Sequence, residues 1–313
     1  MTEQLEIHAG PETVHWGVFD AALPALQTIE SGDSVTLHTV SGGPDILPSD
    51  GFEVLPEHRL IHEKVAPAQA GHIMTGPVAV RGAAPGDMLE VRILDVSLRV
   101  DWGWNRIRPL AGTLPEDFPE MTLTHLRLDR ERMVAHLPWG ADLPLSPFFG
   151  VMGVAPPPAW GKITSIIPRA HGGNLDIKAL GAGTTLYLPV FNDGALFSAG
   201  DGHAVQGDGE VNGTAIETCL SGTFQLILHK GTSITMPRAE TASHYVTTGM
   251  DPDLDDAAKQ ALREMIVLIQ EKTNLSKEDA YMLCSLAADL HVSQTVNVHK
   301  GIHVMLAKSA LHG

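Results

Sequence analysis

A chain of 313 residues is long enough to bury a sizeable core as one large unit or two closely joined ones. Its formal net charge of −16 argues against nucleic acid or another polyanion as partner, and suits a bound cation or a small neutral or cationic substrate. Charged residues make up 19% and aromatics 5%, against 31 glycines and 21 prolines, so many short strands joined by turns are expected rather than long helices. The opening MTEQLEIHAGPE has neither the basic nor the apolar stretch of a secretory leader, and apolar runs such as MIVLI at 265–269 are too short for a bilayer. Two cysteines, Cys219 and Cys284, form neither a disulfide framework nor a CxxC knuckle. A soluble cytoplasmic protein with no membrane partner is the expectation.

In chain order, SGDSVTLHTV (31–40) is the first segment in which a Gly-Asp turn leads into alternating β-formers. GHIMTGP (71–77) reads as a turn after His72, followed by the strand VAVRG. PGDMLEVRILDV (85–96) alternates Leu89, Val91 and Ile93 with Met88, Glu90, Arg92 and Leu94, the pattern of a half-buried strand. Residues 101–160 are proline-rich, carry four of the five tryptophans and show no clear period, which predicts either a cover over a pocket or irregular packing. GAGTTLYLPV (181–190) repeats the turn–strand texture, and TFQLILHKGTSITMPRAE (223–240) suggests two strands around a Lys230-Gly231 turn.

Helices come late. Residues 251–274 place Leu254, Ala258, Leu262, Met265 and Ile269 on one stripe, with acids in the first turn. Ser276 opens an S-x-x-D cap before a second helix, in which Cys284 reads as a small core hydrophobe. The tail TVNVHKGIHVMLAKS returns to strand alternation. The expected fold is therefore mainly β, as sandwich or barrel layers, with a C-terminal pair of α-helices. We expect one composite unit over 1–313, divisible into an N-terminal β region (1–160) with the Trp/Pro-rich cover and a second β region (161–313) with the helices inserted.

Phosphate-loop, dinucleotide, GxSxG, SxxK and HExxH signatures are absent; His62-Glu63 has no second histidine one turn onward. The positive signal is the glycine-rich run 171–217. In GDGHAVQGDGE, Asp201 and His203 are two apart, as are Asp208 and Glu210, so each pair shares a direction on extended backbone. Two such pairs facing across a hairpin would converge on one cation; a polar hairpin tip is the plainer alternative. Upstream, Asn174 and Asp176 repeat the spacing, and His72 is a further candidate. Cys219 lies two residues after Glu217, which leaves open a cysteine–glutamate couple beside the more ordinary buried cysteine.

These segments, HGGNLD, GALFSAGDGHAVQGDGE, GH-x-x-TGP-x-x-V-x-GA-x-PGD and KGIHVML, resemble the acetamidase/formamidase family, over a span from about Val14 to Lys308. The resemblance implies a β-rich fold assembling as a homodimer or larger homo-oligomer. It implies hydrolysis of the C–N bond of a small linear amide, giving ammonia and a carboxylate, with a divalent metal, zinc by expectation. By motif position, Asp176, Asp201 and His203 would hold the metal and Glu210, Asn174 and Asp208 would act in catalysis, with His171, His72 and Gln206 against the substrate. Asp201, Asp208 and Glu210 would also suit an additional calcium ion. Two positions depart from the family: His171 stands where members often carry Cys, and Ile73 where they often carry Pro. The first alters polarity beside the proposed site and bears on substrate choice. The alternatives are a metal-independent amidase using Cys219 with Glu217, and a non-catalytic β-sandwich that binds a metal ion or small polar ligand.

Overall fold

Turn-punctuated runs of β-formers produce sheet throughout the computed structural model, which describes residues 5–49 and 51–311 and contains 22 strands and three α-helices in them. The reading of the chain's start rests partly on residues 1–4, which lie outside the described ones. One sheet orders Leu5–His8, Ser34–His38, Leu220–His229, Met88–Leu98, Thr184–Pro189, Arg238–Glu240, His244–Asp251, Lys300–Ala307 and Ala288–Gln294. The other runs Asp142–Pro144, Val134–His136, Thr122–Asp129, Trp102–Ile107, Ile216–Thr218, Phe197–Val205, Phe148–Gly153 and Gly172–Asn174. In that second sheet Ile73–Val80 branches off against Phe197–Val205 and itself pairs with Val14–Trp16 and Gln27–Ile29.

Neither strand order returns on itself, so among the described residues there is no closed barrel. Alternate residues of both sheets fill one core: Leu89, Val91 and Leu226 from the first, Phe149, Phe197 and Ala199 from the second. The Phe224 ring lies 5.5 Å from Phe149 and 5.3 Å from Phe197, with tilted and edge-on contacts of the kind aromatic rings prefer.

Both predicted helices form. Helix α2 spans Leu254–Lys272, its first turn capped by Asp253, which accepts hydrogen bonds from the Asp255 and Asp256 amides at 2.9 and 3.2 Å. Helix α3 spans Lys277–Ala287, and the Ser276 hydroxyl accepts from the Asp279 amide at 3.0 Å. Their apolar stripes, including Ala261, Met265, Ile269, Ala280 and Cys284, close a separate core over Tyr245, Ile302, Val304 and Leu306 of the first sheet. Gly249 allows the close approach, since a Cβ there would stand 2.0 Å from the Ala257 carbonyl oxygen. None of the helices among the described residues is long and apolar enough to cross a membrane.

Four expectations need correction. An earlier helix, α1 (Pro56–Lys64), was not anticipated; with nine residues and only His58 and Ile61 buried it lacks a stripe that periodicity can detect. No turn follows His72, because Ile73–Val80 is one continuous buried strand. Lys230-Gly231 does not close a hairpin. Both bind Asp87 (Lys230 Nζ to Oδ2 at 2.7 Å, Gly231 amide to Oδ1 at 2.9 Å), and Arg238–Glu240 then pairs with Thr184–Pro189 and His244–Asp251. Residues 101–160 contain five strands of the second sheet joined by irregular segments: Trp102 and Trp104 are buried, Trp139 is exposed, and only part of the segment reaches the pocket described below.

Candidate metal and active site

The centre of the second sheet carries the polar cluster. Strand Phe197–Val205 pairs with Phe148–Gly153 in a register that sets Phe149 opposite Gly202 and Val151 opposite Gly200, bringing Gly150 against Asp201. The Gly150 carbonyl also accepts from the Asp176 amide at 3.2 Å. A Cβ on Gly150 would lie 2.6 Å from Asp176 Oδ1, 2.6 Å from Asp201 Oδ2 and 2.7 Å from His203 Cε1. The missing side chain thus keeps open the space on which these three groups converge.

On the other side, strand Ile216–Thr218 sets Glu217 directly opposite His203. His203 Nε2 stands 3.2 Å from Asp201 Oδ2 and 3.3 Å from Glu217 Oε1, and His72 Nε2 lies 3.6 Å from Asp201 Oδ2. Two ligand sets share the imidazole, Asp176/His203/Glu210 and Asp201/His203/Glu217, with the ligand atoms of each within 4.8 Å of one another and every residue buried. Asp176, Asp201 and Glu210 all have positive φ (49°, 57° and 45°), a conformation that strains side-chain-bearing residues and concentrates at functional sites.

The electrostatics follow from burial. It pushes the Asp176 carboxyl up to about 7, opposed by His203 and reinforced by the Asp201 charge. Glu210 and Glu217 are raised for the same first reason. Burial would raise Asp201 too, but the His72 and His203 imidazoles hold it below the usual carboxylate range. His203, although burial favours its neutral ring, is held protonated well above its ordinary value by Glu217 and Asp201. One imidazolium cannot neutralise four buried carboxylates, so some of them must keep their protons. A divalent cation would let them ionise.

A cavity of about 180 Å³ opens on this cluster, lined by Asn174, Asp201, Glu210 and Glu217, by His72, and by Trp104 and Asn297 on its walls. Of the residues expected from sequence, Asp176, Asp201, His203 and Glu210 are brought together, and Asn174 and His72 line the cavity. Asn174 Nδ2 donates to the Ile166 carbonyl at 3.2 Å, which leaves Oδ1 as its free atom among the described residues.

Three others lie elsewhere. Asp208 pairs with Lys178 at 3.0 Å and His291 at 3.3 Å and belongs to neither ligand set, so the expected Asp201/Asp208/Glu210 calcium group does not assemble. The facing hairpin is absent because residues 207–213 dock instead on 293–297, with the Gly209 amide on the Ser293 carbonyl and the Thr295 amide on the Gly209 carbonyl. Gln206 stitches that junction, donating to the Asp176 and Ser293 carbonyls at 3.0 and 3.2 Å. His171 is fully buried, edge-on to Phe19 at 4.9 Å, outside the cavity lining and with neither ring nitrogen hydrogen-bonded among the described residues; burial lowers it to about 3.

Sequence reasoning missed three contributors. Glu217 is one of the acidic residues of the glycine-rich run, but spacing alone gives it a partner only in Cys219, since its pairing with His203 depends on strand register. Asn297, whose amide donates to Asp176 Oδ2, arrives from a segment 121 residues away. Gly150 sits in a stretch read as irregular. The Cys219 thiol meets His58 Nδ1 at 3.8 Å rather than Glu217, and burial raises it to about 11, so it is held as the unreactive thiol.

The acetamidase/formamidase family model matches residues 17–164 and 159–308. Among curated proteins, a formamidase from Methylophilus methylotrophus is 33% identical over 192 residues, 45% of this chain and 47% of the relative, and an acetamidase from Mycolicibacterium smegmatis is 28% identical over 200 residues. The alignment therefore spans about half the length of these two relatives. A solved acetamidase from Bacillus halodurans superposes with a TM-score of 0.83 at 34% identity, covering 96% of this chain and 97% of that one. Since the family model covers nearly the whole chain and its motifs lie in the strands that build the cavity, the protein belongs to the acetamidase/formamidase family.

Proposed function

We propose that the cavity hydrolyses the C–N bond of a small primary amide, releasing ammonia and a carboxylate, with a divalent cation, zinc by preference, at its floor. The observation that carries this reading is the convergence of Asp176, Asp201 and His203 on the space that Gly150 leaves empty, with Glu210 and Glu217 completing the two buried ligand sets that share His203. The donor set fits a cation: oxygen and imidazole ligands are those zinc accepts, Asp176 Oδ1 is buried with no hydrogen-bond partner among the described residues, and His203 Nε2 lies between the Asp201 and Glu217 carboxylates. Asp201, His203 and Glu217 would hold the ion, with Asp176 beside them. When bound, such an ion supplies Lewis acidity and makes a water easier to deprotonate near neutral pH.

The remaining chemistry belongs to the chain. Asn174 Oδ1 accepts a hydrogen bond from the substrate's amide nitrogen and so turns the carbonyl toward the carboxylate cluster. Glu210 lines the cavity, and its carboxyl makes no hydrogen bond among the described residues. It takes the proton of the attacking water and returns it to the amide nitrogen, which leaves only once protonated. Asn297 and the Gln206 amide fix Asp176 through its carboxylate and backbone, the outer support that such ligands usually require. Chelation followed by metal restoration tests the reading: ammonia release from formamide or acetamide should vanish and return. Undiminished turnover in metal-free protein would overturn it, and metal-dependent thermal stabilisation with no ammonia from any amide would favour a binding protein instead.

A further inference from the structure

The cavity has a second set of polar groups. Besides the carboxylates, its lining includes Arg106 and Arg108, on the strand that begins at Trp102 and its continuation, in a chain whose net charge is −16. Arg106 is mostly covered: Nη1 meets Asp45 Oδ2 at 2.6 Å, the guanidinium lies 5.2 Å from the Trp104 ring, and buried Nε has no partner among the described residues. Arg108 is exposed, and its side chain makes no hydrogen bond or ion pair among the described residues. Desolvation, then repulsion from Arg106, lowers Arg108 below its ordinary value, with Asp45 opposing; that carboxylate is already paired with Arg106, so Arg108 has no anion of its own.

A chain this acidic has many carboxylates with which to neutralise an arginine, yet none reaches Arg108 within salt-bridge distance among the described residues. A planar guanidinium binds a carboxylate through two parallel N–H bonds, a geometry that also orients what it binds. At roughly 30 Å³ per water, a cavity of about 180 Å³ has room for more than formamide or acetamide would fill.

Resting on the amide-hydrolase reading, we propose that Arg108, supported by Arg106, forms an anion subsite that selects primary amides bearing a carboxylate, the monoamides of short dicarboxylic acids. The amide end would meet Asn174 and Glu210 while the carboxylate meets the guanidinia, so one molecule satisfies both sets of groups. Arg108 is then a specificity residue; it takes no part in bond cleavage.

The test compares isosteres that differ only in charge: malonamate against malonamide, and succinamate against succinamide. In the metal-loaded protein we expect kcat/KM at least tenfold higher for the carboxylate member of one pair, through KM, with the preference shrinking as salt is raised. Arg108→Gln should bring the ratio close to one and Arg108→Lys should keep part of it, because lysine retains the charge but not the two-pronged geometry. Equal kcat/KM within both pairs, with both amides turned over, overturns the subsite and leaves the amide-hydrolase reading intact. If no amide is hydrolysed, that reading falls, and calorimetric titration with malonamate still decides the subsite. Charge-selective binding lost in Arg108→Gln supports it, and equal binding of malonamate and malonamide overturns it.

Discussion

The carboxylate–imidazole centre and the C-terminal helical layer are both buried, but they are built from opposite kinds of information. The helical layer is local: caps at Asp253 and Ser276, stripes at helical spacing, and an apolar core satisfied by packing alone. The centre gathers Gly150, Asn174, Asp176, Asp201, His203, Glu210, Glu217 and Asn297 from six separate chain segments, three of its carboxylates at positive φ. Burial of polar groups without full pairing costs stability, and such strain persists only where surrounding structure enforces it. The lesson is a division of labour. The helical layer contributes stability without chemistry, whereas the centre gives up stability for a space in which charged groups converge.

That division makes predictions, beginning with the largest effect. Gly150→Ala should lower kcat/KM by about a thousandfold and reduce bound metal, because its Cβ would fall 2.6 Å from two carboxylate oxygens, with only a modest change in melting temperature. Near-normal activity and metal content in that variant would break the account of the site. Ile269→Ala should do the reverse: a loss of about 2–5 kcal/mol in denaturant unfolding, typical of a large-to-small core change, with kcat/KM per folded molecule unchanged. A comparable loss of turnover would show that the two regions are coupled.

His171 sharpens the comparison within the sheets. Its folded value of about 3 lies below the ordinary 6.5, so the unfolded chain binds the proton first. The neutral ring's contribution is complete above pH 6.5 and is lost as pH falls from there toward 3. Replacing His171 by leucine should flatten the fall in stability over that window by up to about 1.4 kcal/mol per pH unit; parallel profiles for the two proteins would show that the ring is not buried neutral. The smallest effect is expected at the α2 cap, where Asp253→Ala should cost about 1 kcal/mol without changing activity.

How much of this could be read in advance differs with the range of the interaction. Helices α2 and α3, the strands at 34–38, 88–98, 184–189 and 300–307, and the meeting of Asp201 with His203 rest on spacings within one segment, and these were legible. Helix α1 was too short to show a period, and the Lys230-Gly231 turn misled because Asp87, far away in sequence, captures it. In the site, pairing Asp208 with Glu210 extended a strand rule into a segment that is not a strand, so Asp208 ends beside Lys178 while Glu210 turns inward at positive φ. Glu217 faces His203, and Asn297 reaches Asp176, through strand register and loop docking that no local pattern encodes.

By itself, then, the sequence determined a β-rich chain with a C-terminal helical pair, a net charge of −16, and a glycine-rich run whose motifs mark the family. These depend on composition and on contacts a few residues apart. Only the tertiary structure decided which polar groups share a site, that Gly150 leaves space beside Asp176, Asp201 and His203, and that Arg106 and Arg108 line the same cavity. Those facts depend on which strands lie side by side and in what register. One residue of slip would turn Glu217 away from His203, and no spacing within the chain records that choice.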